Sequence, residues 1–276
     1  MQEVTLSMQD VQQESLQILR KVDEICNKLN IKYFLAYGTL IGAIRHQGFI
    51  PWDDDLDIIM LRKDYDIFLS YFMEHPEELK PLRLFCPETC PEYPYTIARV
   101  SDDKYILAVD NEKSYGIGAF IDIYPYDNMF DSYEASVKLS KKSARYASLC
   151  YLSTRLKCKK ERTKGKLKLL IKYPAFLLAH LLGKNFFFKK LRKNAASGQS
   201  GDCQYIGCLV WGTEKERGIF KSELFREAID VPFEGYTFKA PKEYDTLLRQ
   251  IYGDYMQLPP EEQRIGHHFY KAYLRK

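Results

Sequence analysis

Tyr37-Gly38-Thr39-Leu40-Ile41-Gly42-Ala43-Ile44-Arg45-His46-Gln47-Gly48-Phe49-Ile50-Pro51-Trp52-Asp53-Asp54-Asp55-Leu56-Asp57-Ile58-Ile59-Met60 sets three consecutive acids, a leucine and a fourth acid against an apolar run. Carboxylates this close together are costly to bury unless a cation neutralises them. Leu56 to Leu61 is apolar and partly β-branched, which predicts a strand starting after Pro51-Trp52. Alternate side chains of a strand share a face, so Asp55 and Asp57 are expected side by side, about 7 Å apart. Two hard oxygen ligands at that spacing suit Mg²⁺ or Mn²⁺ rather than a metal that prefers soft ligands.

Upstream, the apolar run Ile31 to Leu35 predicts a strand that feeds a Gly38-Thr39 turn, where backbone N–H groups can approach a phosphate closely. Leu40 to Ile44 predicts a short helix, followed by Arg45 and His46. A planar guanidinium there is suited to phosphate oxygens, with a surface salt bridge as the alternative. A strand, a Gly-Thr turn and then Asp-Leu-Asp on the next strand together look like a nucleotidyltransferase-type active site.

The run Tyr37 to Met60, with Arg62 and Asp64-Tyr65 after it, strongly resembles the LicD family of phosphocholine transferases, whose relatives include fukutin-related sugar phosphotransferases. The likeness recurs at Phe120-Ile121-Asp122-Ile123-Tyr124-Pro125-Tyr126-Asp127. It recurs again at Tyr252-Gly253-Asp254-Tyr255-Met256, with Pro259-Pro260 and His267-His268 beyond. Residues 135 to 200 carry no motif of that family. The resemblance implies an α/β (α+β) fold: a nucleotidyltransferase-like mixed β-sheet core flanked by helices, here with a basic helical insertion. It also implies CDP-choline as donor and a sugar hydroxyl of a bacterial surface glycan as acceptor, in a teichoic acid, lipopolysaccharide or capsule precursor.

On that reading Asp55, Asp57 and Asp122 hold one or two Mg²⁺ ions at the diphosphate and are the catalytic residues. Gly38 and Thr39 cradle the diphosphate, Arg45, Arg62 and Arg99 supply positive charge, and His46, Trp52 and His267 complete the substrate site. Asp53, Asp54 or a metal-activated hydroxyl are open as the base. A quaternary ammonium calls for an aromatic cage, and Trp52, Tyr93, Tyr124, Tyr126 and Trp211 are the candidates. The rival readings are transfer of glycerol or ribitol phosphate, nucleotidyl transfer on the same fold, and a non-enzymatic module that docks glycan enzymes at a membrane.

Two of these residues have an alternative partner in each other. Arg99 lies in an otherwise apolar strand segment and needs either a core carboxylate or a substrate phosphate. Asp122 interrupts the apolar run Phe120 to Ile123, where it is a third metal ligand if the strands are neighbours, or else a partner for Arg99.

The chain has 276 residues, 46% hydrophobic and 28% charged, enough for one sizeable core or a core with an appended subdomain. A net charge of +4 is too mild to imply nucleic acid as a partner. Met1-Gln2-Glu3-Val4-Thr5 does not read as the start of a secretory signal, which leads to the expectation of a cytoplasmic protein. Seven cysteines, an odd number, argue against a disulfide framework, and their spacing gives only a loose likeness to zinc sites.

Elsewhere local signals set the expected elements. Ser7 with Asp10 starts an amphipathic helix on Val11, Ile18, Val22, Ile25 and Leu29, which Asn30 closes. Asp64 is expected to cap the helix after Met60, and Asp127 to cap or turn the chain after Pro125. Strands are expected at Leu82 to Phe85, Tyr95 to Val100 and Tyr105 to Val109, and a helix over Tyr244 to Tyr252 closed by Gly253. The composition divides the chain into a catalytic core over 1–135, a basic, apolar helical subdomain over 136–200, and a part over 201–276 that completes the catalytic domain. The middle segment is too short in uninterrupted apolar length to span a bilayer. Its lysines, arginines and aromatics suit either peripheral contact with the anionic inner face of the cell membrane or a solvated basic face.

Overall fold

Helix α1 (Met8–Leu29) is opened by a capping box in which the Asp10 N–H donates to Ser7 Oγ while the Asp10 carboxylate accepts the Ser7 N–H. Its inward stripe is Val11, Ile18, Leu19, Val22 and Ile25, and Asn30 ends it in the left-handed region at φ +53°. The computed structural model describes residues 3–4, 6–158, 166–198, 201–211, 214–264 and 270–275. His267 and His268, together with Lys159, Lys160, Arg162 and Lys164 of the basic run, lie outside the described residues.

Strand β1 (Glu3–Val4) precedes α1, and β2 (Tyr33–Leu35) follows it. The Gly38-Thr39 pair is not a free turn. It sits in the first turn of α2 (Tyr37–His46), entered through Tyr37 at φ +47°. Strand β3 (Asp57–Leu61) runs straight into α3 (Arg62–Glu74). Leu61 occupies the cap position without a side-chain bond, and Asp64, expected there, lies instead in the first turn, where its charge complements the helix dipole. Next come β4 (Arg83–Phe85), β5 (Ala98–Ser101), β6 (Tyr105–Val109) and β7 (Phe120–Asn128). Three helices follow, α4 (Tyr133–Ser153), α5 (Lys166–Leu182) and α6 (Lys184–Ala195). The last part holds β8 (Tyr205–Gly207), β9 (Phe220–Lys221), β10 (Ala228–Phe233), β11 (Tyr236–Pro241), α7 (Tyr244–Tyr252) and β12 (Tyr270–Leu274).

The main sheet has the order β2-β3-β7-β5-β4, parallel between β3 and β7 and antiparallel at its other pairs, with β8 joined to the far end of β7 and β9 to β8. All residues of β7 except Asn128 are buried, as expected of a central strand covered on both faces. A smaller antiparallel sheet, β1-β12-β6, and the β10–β11 hairpin flank it. One hydrophobic cluster draws Leu19 and Phe34 from the first part, Ala147, Phe187 and Leu191 from the helical segment, and Ile206, Phe220 and Leu247 from the last.

The hairpin positions the loop that carries the acids. Its tip, Glu234-Gly235, has both residues at positive φ, the backbone of a tight primed turn. The Glu234 N–H donates to the Gln47 carbonyl, and its carboxylate accepts the Phe49 N–H at 3.0 Å. Behind the loop, the Gly48 N–H donates to the Gly42 carbonyl, and Gln12 Nε2 donates to the Asp53 carbonyl at 2.7 Å. The segment after α2 is thus tied to α1, to α2 and to the hairpin before it enters β3.

Candidate active site

Asp57 and Asp122 are register partners across the parallel β3–β7 pair, so their Cβ atoms leave the same face of the sheet next to each other. Backbone bonds fix the pairing: the Asp122 N–H donates to the Leu56 carbonyl, and the Asp57 carbonyl accepts the Ala36 N–H. Thr39 Oγ1 accepts the Asp57 N–H at 2.8 Å. Thr39 is buried, so its hydroxyl holds the start of β3 against α2. Asp55 lies just before β3 rather than on it, because the ladder begins at Asp57.

Asp57 is 7% exposed, and its Oδ1 is buried without a hydrogen-bond partner. Burial, and then the charges of Asp55, Asp122 and Asp53, raise its carboxyl well above the ordinary range, with Arg99 opposing them. A carboxylate in that condition calls for a cation or a proton. Asp53 adjoins the start of α2, since a Cβ on Gly38 would stand 2.4 Å from its Oδ2. Gly38 is therefore the residue that lets this carboxylate lie against the helix N-terminus.

Arg99, the other strand charge, takes the carboxylate of its two possible partners. Its Nε and Nη2 donate to the two Asp122 oxygens at 2.5 and 3.1 Å, and its guanidinium lies 4.0 Å from the ring centroids of both Tyr95 and Phe120. With 5% exposure Arg99 is a core residue rather than a cation held out to a phosphate. Arg62, by contrast, is away from the clustered acids. It follows β3 at the end opposite Asp57, about 16 Å along the strand, and pairs with Asp127 at 2.7 Å and Asp66 at 3.3 Å. Asp127 is buried in β7 and does not cap a turn, because the guanidinium of Arg62 compensates its charge there. Arg99 is thus bound to one of the clustered acids, and Arg62 to Asp127 and Asp66.

Arg45 and His46 occupy the last turn of α2. Arg45 Nη1 donates to the Tyr255 carbonyl at 2.6 Å, and its Nε donates to His46 Nε2 at 2.9 Å, which makes that nitrogen an acceptor. Burial disfavours the charge of Arg45, and among the described residues no acid forms an ion pair with it. Burial, and then Arg45, hold His46 below its ordinary pKa. The His46 ring meets Trp52 edge to face at 6.4 Å, and Arg264 lies 5.6 Å from the Trp52 centroid. Two arginines, a neutral histidine and an indole thus share one rim of the acid-bearing loop.

Arg264 escaped the sequence reading because only the fold brings it from 212 positions beyond Trp52. Tyr124 and Tyr252 are further neighbours. Burial and the carboxylates of Asp57, Asp122 and Asp55 raise the phenol of Tyr124, and burial, Glu214 and the acids at 57, 53 and 55 raise that of Tyr252. Of the aromatic cage candidates, Tyr93, Tyr124 and Tyr126 are buried core residues, Tyr124 packing on Tyr37, and Trp211 packs on Tyr95, which leaves Trp52, half-buried, on the loop. A cleft of about 730 Å³ lies near Lys32, Leu61, Asn128 and Arg226, at the opposite end of β3 and β7, and none of the clustered acids lines it.

The residues fit a divalent cation by the chemistry of the donor set and by the orphaned Asp57 oxygen. Among the described residues no three His, Cys, Asp or Glu side chains are grouped closely enough to hold a metal ion. Arg99 bonds both oxygens of the Asp122 carboxylate and so fixes the plane in which that acid faces Asp57.

The family description "LicD/FKTN/FKRP, nucleotidyltransferase domain" matches residues 30–152, which span α2, β3 and the whole of β7. The chain is 32% identical over 278 aligned positions, covering 98% of each protein, to the lipopolysaccharide cholinephosphotransferase LicD of Haemophilus influenzae. An uncharacterised Rickettsia typhi protein is 31% identical over 121 positions, 42% of this chain and 35% of its own. A second one, from Rickettsia prowazekii, is 46% identical over 63 positions, 23% of each. A likeness to LicD that runs the length of the chain makes this protein a member of the LicD/FKTN/FKRP family, with that family's nucleotidyltransferase domain.

Proposed function

We propose that the protein transfers phosphocholine from CDP-choline to a sugar hydroxyl of a bacterial surface glycan, free or lipid-linked, with Mg²⁺ or Mn²⁺ as cofactor. The observation that carries this reading is the unpartnered, buried Asp57 oxygen among the carboxylates of Asp53, Asp55 and Asp122. The name of the Haemophilus influenzae relative, aligned end to end, supports phosphocholine as the group moved and lipopolysaccharide as the acceptor class. Asp55, Asp57 and Asp122 would hold the ion. When bound, such an ion neutralises the diphosphate and lowers the pKa of the attacking hydroxyl.

The protein's own groups do the rest by position. Arg99 fixes the Asp122 carboxylate, and Thr39 fixes the backbone at Asp57. Arg45, with Arg264 beside Trp52, offers positive charge to phosphate oxygens, and Trp52 offers a ring face to the quaternary ammonium. The acceptor oxygen forms a bond to the choline-bearing phosphorus, the bond from that phosphorus to CMP breaks, and CMP leaves with the electron pair. The hydroxyl proton passes to a carboxylate of the cluster. Incubation with CDP-choline, Mg²⁺ and a glycan acceptor tests the scheme by product mass. Phosphocholine on the glycan with release of CMP is expected; CMP on the glycan with release of phosphocholine, or preferential turnover of CDP-glycerol or CDP-ribitol offered in place of CDP-choline, would replace it.

A further inference from the structure

Helix α5 is amphipathic in the wrong sense for a helix that packs only on its own protein. Its inner stripe is Lys172, Ala175, Phe176 and Ala179, half of it alanine, and Ala179 alone is fully buried among its described side chains. The large side chains face away: Tyr173, Leu177, Leu178, Leu181 and Leu182 are 41 to 83% exposed, Leu181 the most. Gly183, at φ +73°, turns the chain directly into α6, where Phe186 extends the apolar face. Single exposed leucines are ordinary, whereas six large apolar side chains within fourteen residues form a patch that marks an interaction site.

The surrounding charge identifies the partner. From Lys166 to Ala195 the sequence has eight lysines and arginines and no aspartate or glutamate, while the rest of the chain has 33 basic residues against 37 acidic. Phe187, Phe188 and Leu191 fill the inner face of α6, and Phe186, Lys189, Lys190 and Lys193 lie on its outer side, with Lys190 Nζ 5.3 Å from the Phe186 ring centroid. Two copies meeting through this face would set like charge against like charge. No helix among the described residues is long and apolar enough to cross a membrane. An apolar stripe flanked by lysines instead suits the plane of a bilayer whose headgroups are anionic.

We propose that α5 and the outer side of α6 form a docking face for an anionic lipid bilayer, with Tyr173, Leu177, Leu181 and Phe186 entering the interfacial layer and the α6 lysines contacting headgroup phosphates. This rests on the exposed face alone and stands apart from the chemistry proposed for the acids. The test is co-sedimentation of the full chain, without donor or metal, on vesicles of phosphatidylcholine with about a quarter phosphatidylglycerol, and on vesicles of phosphatidylcholine alone. Binding to the anionic vesicles is expected, falling with added salt. The double variant Leu177→Ser, Leu181→Ser is expected to lose about tenfold or more in vesicle affinity at an unchanged melting temperature, since both side chains are exposed. Equal binding of parent and variant, absence of binding to anionic vesicles, or a dimer that the double variant converts to monomer without any vesicle binding would overturn it.

Discussion

Arg99 and Asp122 are register partners in the antiparallel β5–β7 pair, joined by two hydrogen bonds, with less than a tenth of either side chain exposed. A buried pair of this kind is worth little against an apolar replacement, yet breaking it by removing one partner is expensive, because the remaining charge has no solvent. Arg99→Ala is expected to destabilise the protein by about 3 kcal/mol and to lower transfer through a displaced Asp122. Denaturant unfolding of the variant measures the first effect. A loss below about 1 kcal/mol would mean that other groups hold Asp122.

Asp57→Asn should abolish transfer, with a loss of about a thousandfold or more in kcat, while leaving the fold as stable as the parent or more so. The reason is that Asp57 is buried among like charges. Its raised folded-state pKa also fixes a sign. Between the ordinary carboxyl value of 3.8 and the raised folded value the native protein binds the extra proton, so metal-free stability is full below that range and is lost as pH rises through it. Thermal melts of metal-free protein from pH 4 to 8 should show a shallower decline in the variant than in the parent.

Arg45→Ala is expected to raise KM for the donor about tenfold with kcat within about twofold, the signature of a lost ground-state phosphate contact. Arg45→Lys should recover only part, since an ammonium cannot present the guanidinium fork that now spans the Tyr255 carbonyl and His46. Steady-state kinetics with CDP-choline decide this, and an unchanged KM in Arg45→Ala would remove the residue from the substrate site.

Gly42→Ala tests the loop. A Cβ there would stand 2.4 Å from the Gly48 carbonyl oxygen, a backbone atom that cannot swing aside. The expected cost is about 2 kcal/mol of overpacking, and activity should fall further than stability because the displaced segment leads into Trp52 and the acids. Parallel melting and transfer assays show whether the two losses separate.

What the sequence determined by itself was whatever neighbours along the chain decide. The Ser7–Asp10 box, the left-handed Asn30, the strand at Ile58 to Leu61 and the termination of α7 at Gly253 all rest on capping, periodicity and φ preferences within a few residues. The crowding of Asp53, Asp55 and Asp57 and the solitary acid in Phe120 to Ile123 were legible in the same way, as was the family resemblance. Tertiary structure decided the partners. The choices of Arg99 for Asp122, Arg62 for Asp127, Thr39 for the Asp57 backbone and Arg264 for Trp52 each join residues separated by at least 18 positions. A buried charge accepts any counter-charge of suitable geometry, so its partner follows from strand order and register. Those are set by how the whole core packs, which no local stretch of sequence encodes.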